Sequence, residues 1–193
     1  MSGLSEELGC EEEDSEFFIH HFEFETKYLH IVKLYLDPKK KPRHKVVELN
    51  IDFQIPLLHR SIASSRGEIF LTGGATYRAE QVRYLDTCYK FQSEDNTLYE
   101  CNRMEIRRIQ HAIAYLDGYV YVIGGLGKVK FKEVDPAGRT IKGLRQEPLK
   151  HCERYDIQFN RWERIADLNY PCYCACACVY NNRLIYKFSG KLG

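Results

Sequence analysis

Four cysteines at alternate positions, Cys172, Cys174, Cys176 and Cys178, form the densest run of metal-binding side chains in the sequence. Zinc takes four such thiolates at the corners of a tetrahedron. On a β-strand, a period of two would string all four along one face, at about 6.6 Å per step and about 20 Å end to end. One strand cannot wrap them around one ion, so reduced thiols packed within or between sheets are the expected outcome. A metal site built from these four is the alternative, followed by a redox role.

Other candidate chemistry is sparse. The histidines His20, His21, His30, His44, His59, His111 and His151 are scattered. No serine, histidine and aspartate stand at a recognisable triad spacing. Gly124–Gly125–Leu126–Gly127 lacks the GxGxxG spacing and the following helix of a dinucleotide loop. Asp156, next to Tyr155, is placed to accept turn amides. His111, opening an apolar run, is expected to bond to backbone. No catalytic residue, no cofactor and no resident metal follow from these residues.

The elements that position these residues are bounded by composition. The chain has 193 residues, 44% hydrophobic and 28% charged, with 28 Lys and Arg against 27 Asp and Glu. The near-neutral balance argues against nucleic acid as a partner. No apolar run of about 18 residues suggests a membrane span. Residues 1–16 carry seven acidic groups and no basic one, and are expected to form a solvated, disordered tail. The other 177 residues then hold 28 basic and 20 acidic groups, a formal +8. Two stretches concentrate the basic charge, 37–45 and 126–150, and both read as loops. The eight cysteines, without a secretory leader in the sequence, fit a reducing, cytoplasmic setting.

Short alternating runs rich in Tyr, Phe and β-branched residues predict strands throughout 17–193. No amphipathic helix of three turns is evident, and 79–85 reads as one short turn at best. SIASSRGEIFLTGG (61–74) parallels HAIAYLDGYVYVIGG (111–125). Each has a short apolar run, a tight turn, a large-apolar strand and a glycine pair. The pairs, Gly73–Gly74 and Gly124–Gly125, lie 51 residues apart. A third copy at 172–190 ends in Ser189–Gly190, 65 residues later. Asp117–Gly118 and Asn181–Asn182 suit the positive φ of two-residue hairpin turns, and Arg66–Gly67 supplies a glycine. After each of the first two pairs comes a tyrosine, a polar turn and an aromatic: Tyr89 with Tyr99, then Tyr155 with Trp162.

Together, YVYVIGG, the later tyrosine, NRW and the RRIQHAIAYLDG lead-in resemble the kelch repeat. The resemblance covers about 59–190. Tyr99 departs from the family tryptophan, Ser189 from the glycine, and Lys187 from an apolar strand. In that family each repeat is one four-stranded blade of a β-propeller. The resemblance therefore implies an all-β chain, a partial kelch-type propeller of about three four-stranded antiparallel blades, a strand count that allows an open arc. Complete repeats are expected at about 59–104 and 108–168, with a partial repeat at 172–190, while 28–53 would supply last strands of a preceding unit. Gly73, Gly74, Gly124, Gly125, Tyr155, Trp162 and Gly190 then have structural roles, with Trp162 wedged between neighbouring sheets.

About 12 or 13 strands fall short of a normal ring of four to eight blades. A fragment of a longer propeller, assembly with copies or a partner through open blade edges, and closure by irregular blades all fit that shortage. The functional expectation is a non-catalytic protein-interaction scaffold. Lys128, Lys130, Lys132 and Lys142 are its candidate contacts for an acidic partner, with no nucleic acid or membrane involved. The alternatives are a propeller enzyme acting on a sugar or alcohol, or a truncated fragment without independent function.

Overall fold

Short strands closed by Asx or glycine turns leave little length for a helix, and in the computed structural model every regular element among the described residues is a β-strand. The structure describes residues 15–23, 28–36, 41–50, 58–64, 67–78 and 81–192. Nineteen strands occur among them, and all paired neighbours are antiparallel.

The chain divides into two compact units, Met1–Ile51 and Asp52–Gly193. In the first, β1 (Ser15–Glu23), β2 (Tyr28–Leu36) and β3 (Arg43–Asn50) form a meander in the order β1-β2-β3. Ile31 and Val47 are opposed across β2 and β3 and both are buried, whereas Val46 is exposed. The basic stretch 37–45, expected as a loop, thus ends inside a strand, because KVVELN alternates well enough to pair with β2. Residues 1–14 of the acidic segment lie outside the described residues, and Ser15 and Glu16 belong to β1.

The second unit is built on two four-stranded sheets. The first contains β4 (Arg60–Ala63), β5 (Glu68–Thr72), β8 (Cys88–Gln92) and β9 (Thr97–Cys101), in the order β4-β5-β8-β9. The second repeats this plan with β10 (Ala112–Leu116), β11 (Tyr119–Ile123), β14 (Cys152–Asp156) and β15 (Arg161–Ile165). Each sheet has a side ribbon after its glycine pair. These are β6 (Ala75–Arg78) with β7 (Gln81–Tyr84), and β12 (Leu126–Val134) with β13 (Thr140–Pro148). Two expectations are corrected here. The 79–85 stretch holds strand β7, not a lone turn, and 126–150 is a long hairpin ribbon, not a loop. Frequent Lys, Arg and Glu hide the alternation in the ribbon because one of its faces is charged too.

The third copy is shorter among the described residues. β16 (Cys172–Tyr173) pairs with β19 (Lys191–Leu192), and β17 (Cys176–Tyr180) pairs with β18 (Leu184–Phe188). The hairpin between β17 and β18 has three loop residues, not two, since Tyr180 opposes Leu184. Asp117 and Gly118 do form the expected two-residue turn, at φ of 51° and 79°.

The core lies between these sheets. Phe70, Cys88, Cys101, Met104, Ile113, Val120, Val122 and Tyr155 form one buried cluster spanning the two four-stranded sheets. Ala112, Ile123, Cys152, Cys172 and Ala175 form a second, which joins the next sheet to β17 and β18 through Ala177 and Ile185. Neither sheet could bury its apolar faces alone, so stacking is the main source of stability.

Candidate functional site

The glycine pairs are latches between successive sheets. Gly73 and Gly74 sit at φ of 62° and 105°, and Gly124 and Gly125 at 62° and 104°. Gly74 N–H donates to the Arg108 carbonyl at 3.0 Å, just before the second sheet begins. Gly125 N–H donates in the same way to the Cys172 carbonyl at 2.8 Å, just before the third copy. A Cβ on Gly73 would meet the Arg108 carbonyl oxygen at 2.5 Å, and one on Gly124 would meet the Cys172 carbonyl oxygen at 2.6 Å. Ser189 and Gly190 reproduce the pair at 55° and 107°. The sequence departure at Ser189 therefore leaves the backbone form unchanged.

Arg108 fills the space behind the second latch. Its guanidinium donates to the carbonyls of Gly124 at 2.7 Å and His151 at 2.8 Å, and it pairs with Glu153. The two side chains are 0% and 1% exposed. Glu153 also accepts the amides of Glu105 at 2.7 Å and Ile106 at 3.3 Å. Burial pulls the Arg108 guanidinium below its ordinary pKa, and the Glu153 charge opposes this. Every donor and acceptor named here is used structurally. Sequence reasoning missed the pair, because Glu153 lies 45 residues beyond Arg108.

His111 is equally enclosed. It contacts the Thr72 hydroxyl through Nε2 at 2.8 Å, which corrects the expected backbone bond. Thr72 Oγ1 donates onward to the Arg60 carbonyl at 3.5 Å. That direction makes Nε2–H the donor to Thr72, and leaves Nδ1 as an acceptor without a partner. Burial first, then the charges of Arg108, Arg60 and His59, hold this imidazole well below its usual pKa. It is a neutral bridge between β5 and the residue just before β10.

Tyr155 and Trp162 face each other across β14 and β15, with ring centroids 5.2 Å apart. Tyr155 O–H donates to Asn160 Oδ1 at 2.7 Å, and that oxygen accepts the Asn102 amide at 2.9 Å. Trp162 Nε1–H donates to the Asn102 carbonyl at 2.7 Å. The aromatic pair thus clamps the end of the previous sheet, although the indole is only half-buried. Asp156 accepts the Phe159 amide at 3.0 Å, as its place in the turn predicts.

The cysteine run does not form one strand. Cys174 has a φ of 55° and breaks the chain between β16 and β17. Cys172 is buried, while Cys174, Cys176 and Cys178 are exposed. The expectation that all four pack internally is corrected. Alternation places Ala177 inward from β17, so Cys176 and Cys178 point the other way. Lys187 Nζ reaches the Cys172 sulfur at 3.4 Å, which gives the odd lysine in β18 a polar contact. Among the described residues no three His, Cys, Asp or Glu side chains converge as metal ligands.

The β12–β13 ribbon separates its charges by face. Lys128 opposes Gln146, Lys130 opposes Leu144, and Lys132 opposes Lys142. Directly opposed residues share a face, so four lysines lie on one side with no carboxylate among them. The other face carries Val129, Phe131, Glu133, Gly143, Arg145 and Glu147. There Arg145 bonds Glu133 at 2.5 Å, pairs with Glu147, and stacks 5.6 Å over Phe131. Lys128 Nζ donates to the Val82 carbonyl at 2.8 Å and lies 5.4 Å over the Tyr84 ring, fixing the ribbon to β7. Lys130, Lys132 and Lys142 are exposed.

One open cleft is lined by Glu68, Lys90, Tyr115, Asp117, Tyr119 and Asp156. Glu68 is engaged there by Ser64 Oγ at 3.0 Å and Lys90 Nζ at 3.2 Å. Asp156, on the same cleft, caps its own turn. Among the described residues, no helix is long and apolar enough to cross a membrane.

Residues 107–169 match the kelch motif. The chain is 30% identical over 125 residues to the Kelch-like protein 23 of Homo sapiens, and equally to that of Mus musculus. Each alignment covers 65% of this chain and 19% of the relative, so the chain spans about a fifth of the length of these relatives. The solved structure of YjhT superposes with a TM-score of 0.55 at 12% identity, covering 85% of this chain and 54% of that one. The matched segment runs from the Arg108 latch through Tyr155 and Trp162, the residues that join one sheet to the next. The chain carries the kelch repeat, built as a partial all-β propeller.

Proposed function

We propose that the chain is a non-catalytic protein-interaction scaffold of the cell interior, and that the lysine face of the β12–β13 ribbon receives an acidic segment of a partner protein. The observation that carries this reading is the sorting of charge on the ribbon. The acids Glu133 and Glu147 both pair with Arg145 on one face, and Lys128, Lys130, Lys132 and Lys142 stand together on the other. Lys132 and Lys142 oppose each other directly, an arrangement that costs stability in a free ribbon. A carboxylate-rich partner would relieve that repulsion and add steering at low salt. Exposed Leu144, on the same face, offers an apolar anchor between the charges.

The test is binding of a fluorescent Asp- and Glu-rich peptide to the purified chain. Replacing Lys130, Lys132 and Lys142 with Glu should weaken it at least about tenfold, a change of about 1.4 kcal/mol. Lys128 is left in place because it holds β7. Wild-type affinity should fall steeply between low and physiological salt. Equal affinity for both proteins, with unchanged circular dichroism, would remove the ribbon from the proposal. Turnover of a sugar or alcohol by the purified chain would overturn the non-catalytic reading.

A further inference from the structure

The register of the first four-stranded sheet places Cys88, at the start of β8, directly opposite Cys101, at the end of β9. Opposed residues of an antiparallel pair have Cα atoms about 4.5–5.5 Å apart, inside the span of about 4.4–6.8 Å that a disulfide bridges. Both are free, buried thiols in the same core cluster. Their exposures differ in a useful way. Cys88 is fully enclosed, while Cys101 retains 8% of its surface. Cys101 also lines a surface cleft with Asn102, Arg103, Glu105, Arg161 and Trp162. Cys101 therefore borders an opening to solvent, and Cys88 lies opposite it on the neighbouring strand.

We propose that Cys101 is a thiol-modification site that takes a disulfide oxidant through this cleft, and that Cys88 resolves the adduct into a cross-strand disulfide. Local electrostatics assist the first step. The neighbouring Cys88 thiol lowers the Cys101 pKa against the opposing effect of burial, with help from the Lys90 charge. Burial, reinforced by the neighbouring Cys101, pushes the Cys88 thiol upward. The pair is thus divided into an attacking and a resolving sulfur.

With oxidised glutathione as the oxidant, the Cys101 thiolate attacks one glutathione sulfur and its S–S bond breaks. A new S–S bond joins Cys101 to one glutathione, and the other leaves as a thiolate. Cys88 then attacks the Cys101 sulfur, and its proton passes to the second departing glutathione. Two protein thiols are oxidised, and one glutathione disulfide is reduced to two thiol equivalents. The new bond would tie β8 to β9 inside the cluster that packs the two sheets together.

Peptide mapping of the natively folded chain tests this. Reduced protein is exposed to oxidised glutathione, alkylated, and cut with trypsin after Arg83, Lys90 and Arg103. The expected product is the segment 84–90 linked to 91–103, lighter by two hydrogens than the separate peptides. In Cys88→Ser, Cys101 should stop as the glutathione mixed disulfide. In Cys101→Ser, Cys88 should stay unmodified. Iodoacetamide labelling of wild-type Cys101 should reach half its maximum at a lower pH than that of an unperturbed cysteine. Recovery of both wild-type peptides unlinked, while exposed Cys174, Cys176 and Cys178 take up glutathione, would overturn the proposal even if neither variant folds.

Discussion

Arg108 and Glu153 form an ion pair from which solvent is excluded, with side chains 0% and 1% exposed. The pair joins the segment before β10 to β14, and its other bonds hold the carbonyls of Gly124 and His151. Removing one partner strands the other charge in the interior. Arg108→Met or Glu153→Ala should each lower the unfolding free energy by about 3–5 kcal/mol. Replacing both with apolar residues should cost less than the sum of the two. Additive losses in urea titrations of the single and double variants would contradict this coupling.

Gly124 and Gly118 separate backbone strain from collision. Both have positive φ, but a Cβ on Gly118 meets nothing within 4 Å, whereas one on Gly124 lies 2.6 Å from the Cys172 carbonyl. Gly118→Ala should cost about 1–2 kcal/mol from conformation alone. Gly124→Ala should cost at least about 2 kcal/mol more, because the neighbouring backbone must shift. Ser189 holds a φ of 55° without being glycine, so Ser189→Gly should stabilise the fold by up to about 1 kcal/mol. Equal urea midpoints for the two alanine variants would defeat the latch.

Trp162 is the single tryptophan of the chain, so its fluorescence reports one site. Because the indole is half-buried, Trp162→Ala should cost about 2–3 kcal/mol, less than the 3–5 kcal/mol typical of a core tryptophan. Trp162→Phe keeps the stack on Tyr155 and loses the bond to the Asn102 carbonyl, at about 1 kcal/mol. Emission between the buried and exposed extremes is expected. The wavelength of a free indole in water would place the ring outside the clamp.

Local chemistry was readable in advance, and long-range chemistry was not. Gly124–Gly125 and Asp117–Gly118 announce themselves because positive φ selects glycine and Asx at adjacent positions. Tyr155 and Trp162 are close in sequence and meet across one hairpin. Glu153 carries no mark of its bond to Arg108, since nothing local distinguishes a buried glutamate from a solvated one. The Cys172–Cys178 run misled for a related reason. Small alternating residues fit a strand template, and nothing in them signals the positive φ at Cys174. In β12 and β13, lysines on one face and paired charges on the other erase the apolar alternation by which strands are recognised. Cys88 and Cys101 became a pair only once the register of β8 and β9 was known.

His111 makes stability depend on pH in a defined direction. Its pKa is held well below 6.5 in the fold, by burial first and then by Arg108, Arg60 and His59. In the unfolded chain it returns to about 6.5. Above that pH both states carry a neutral ring, and its contribution is fully present. Below it, the unfolded chain binds a proton that the fold refuses. Stability should then fall by up to about 1.4 kcal/mol per pH unit from this residue. The window from about pH 7 to 5.5 isolates it from carboxylates, whose ordinary values lie near 4. His111→Gln retains a donor for Thr72 and cannot take the proton. Its loss of stability should be greatest at neutral pH and shrink as the pH falls. Urea midpoints that decline in parallel for wild type and His111→Gln across this window would show that the imidazole is not the group responsible.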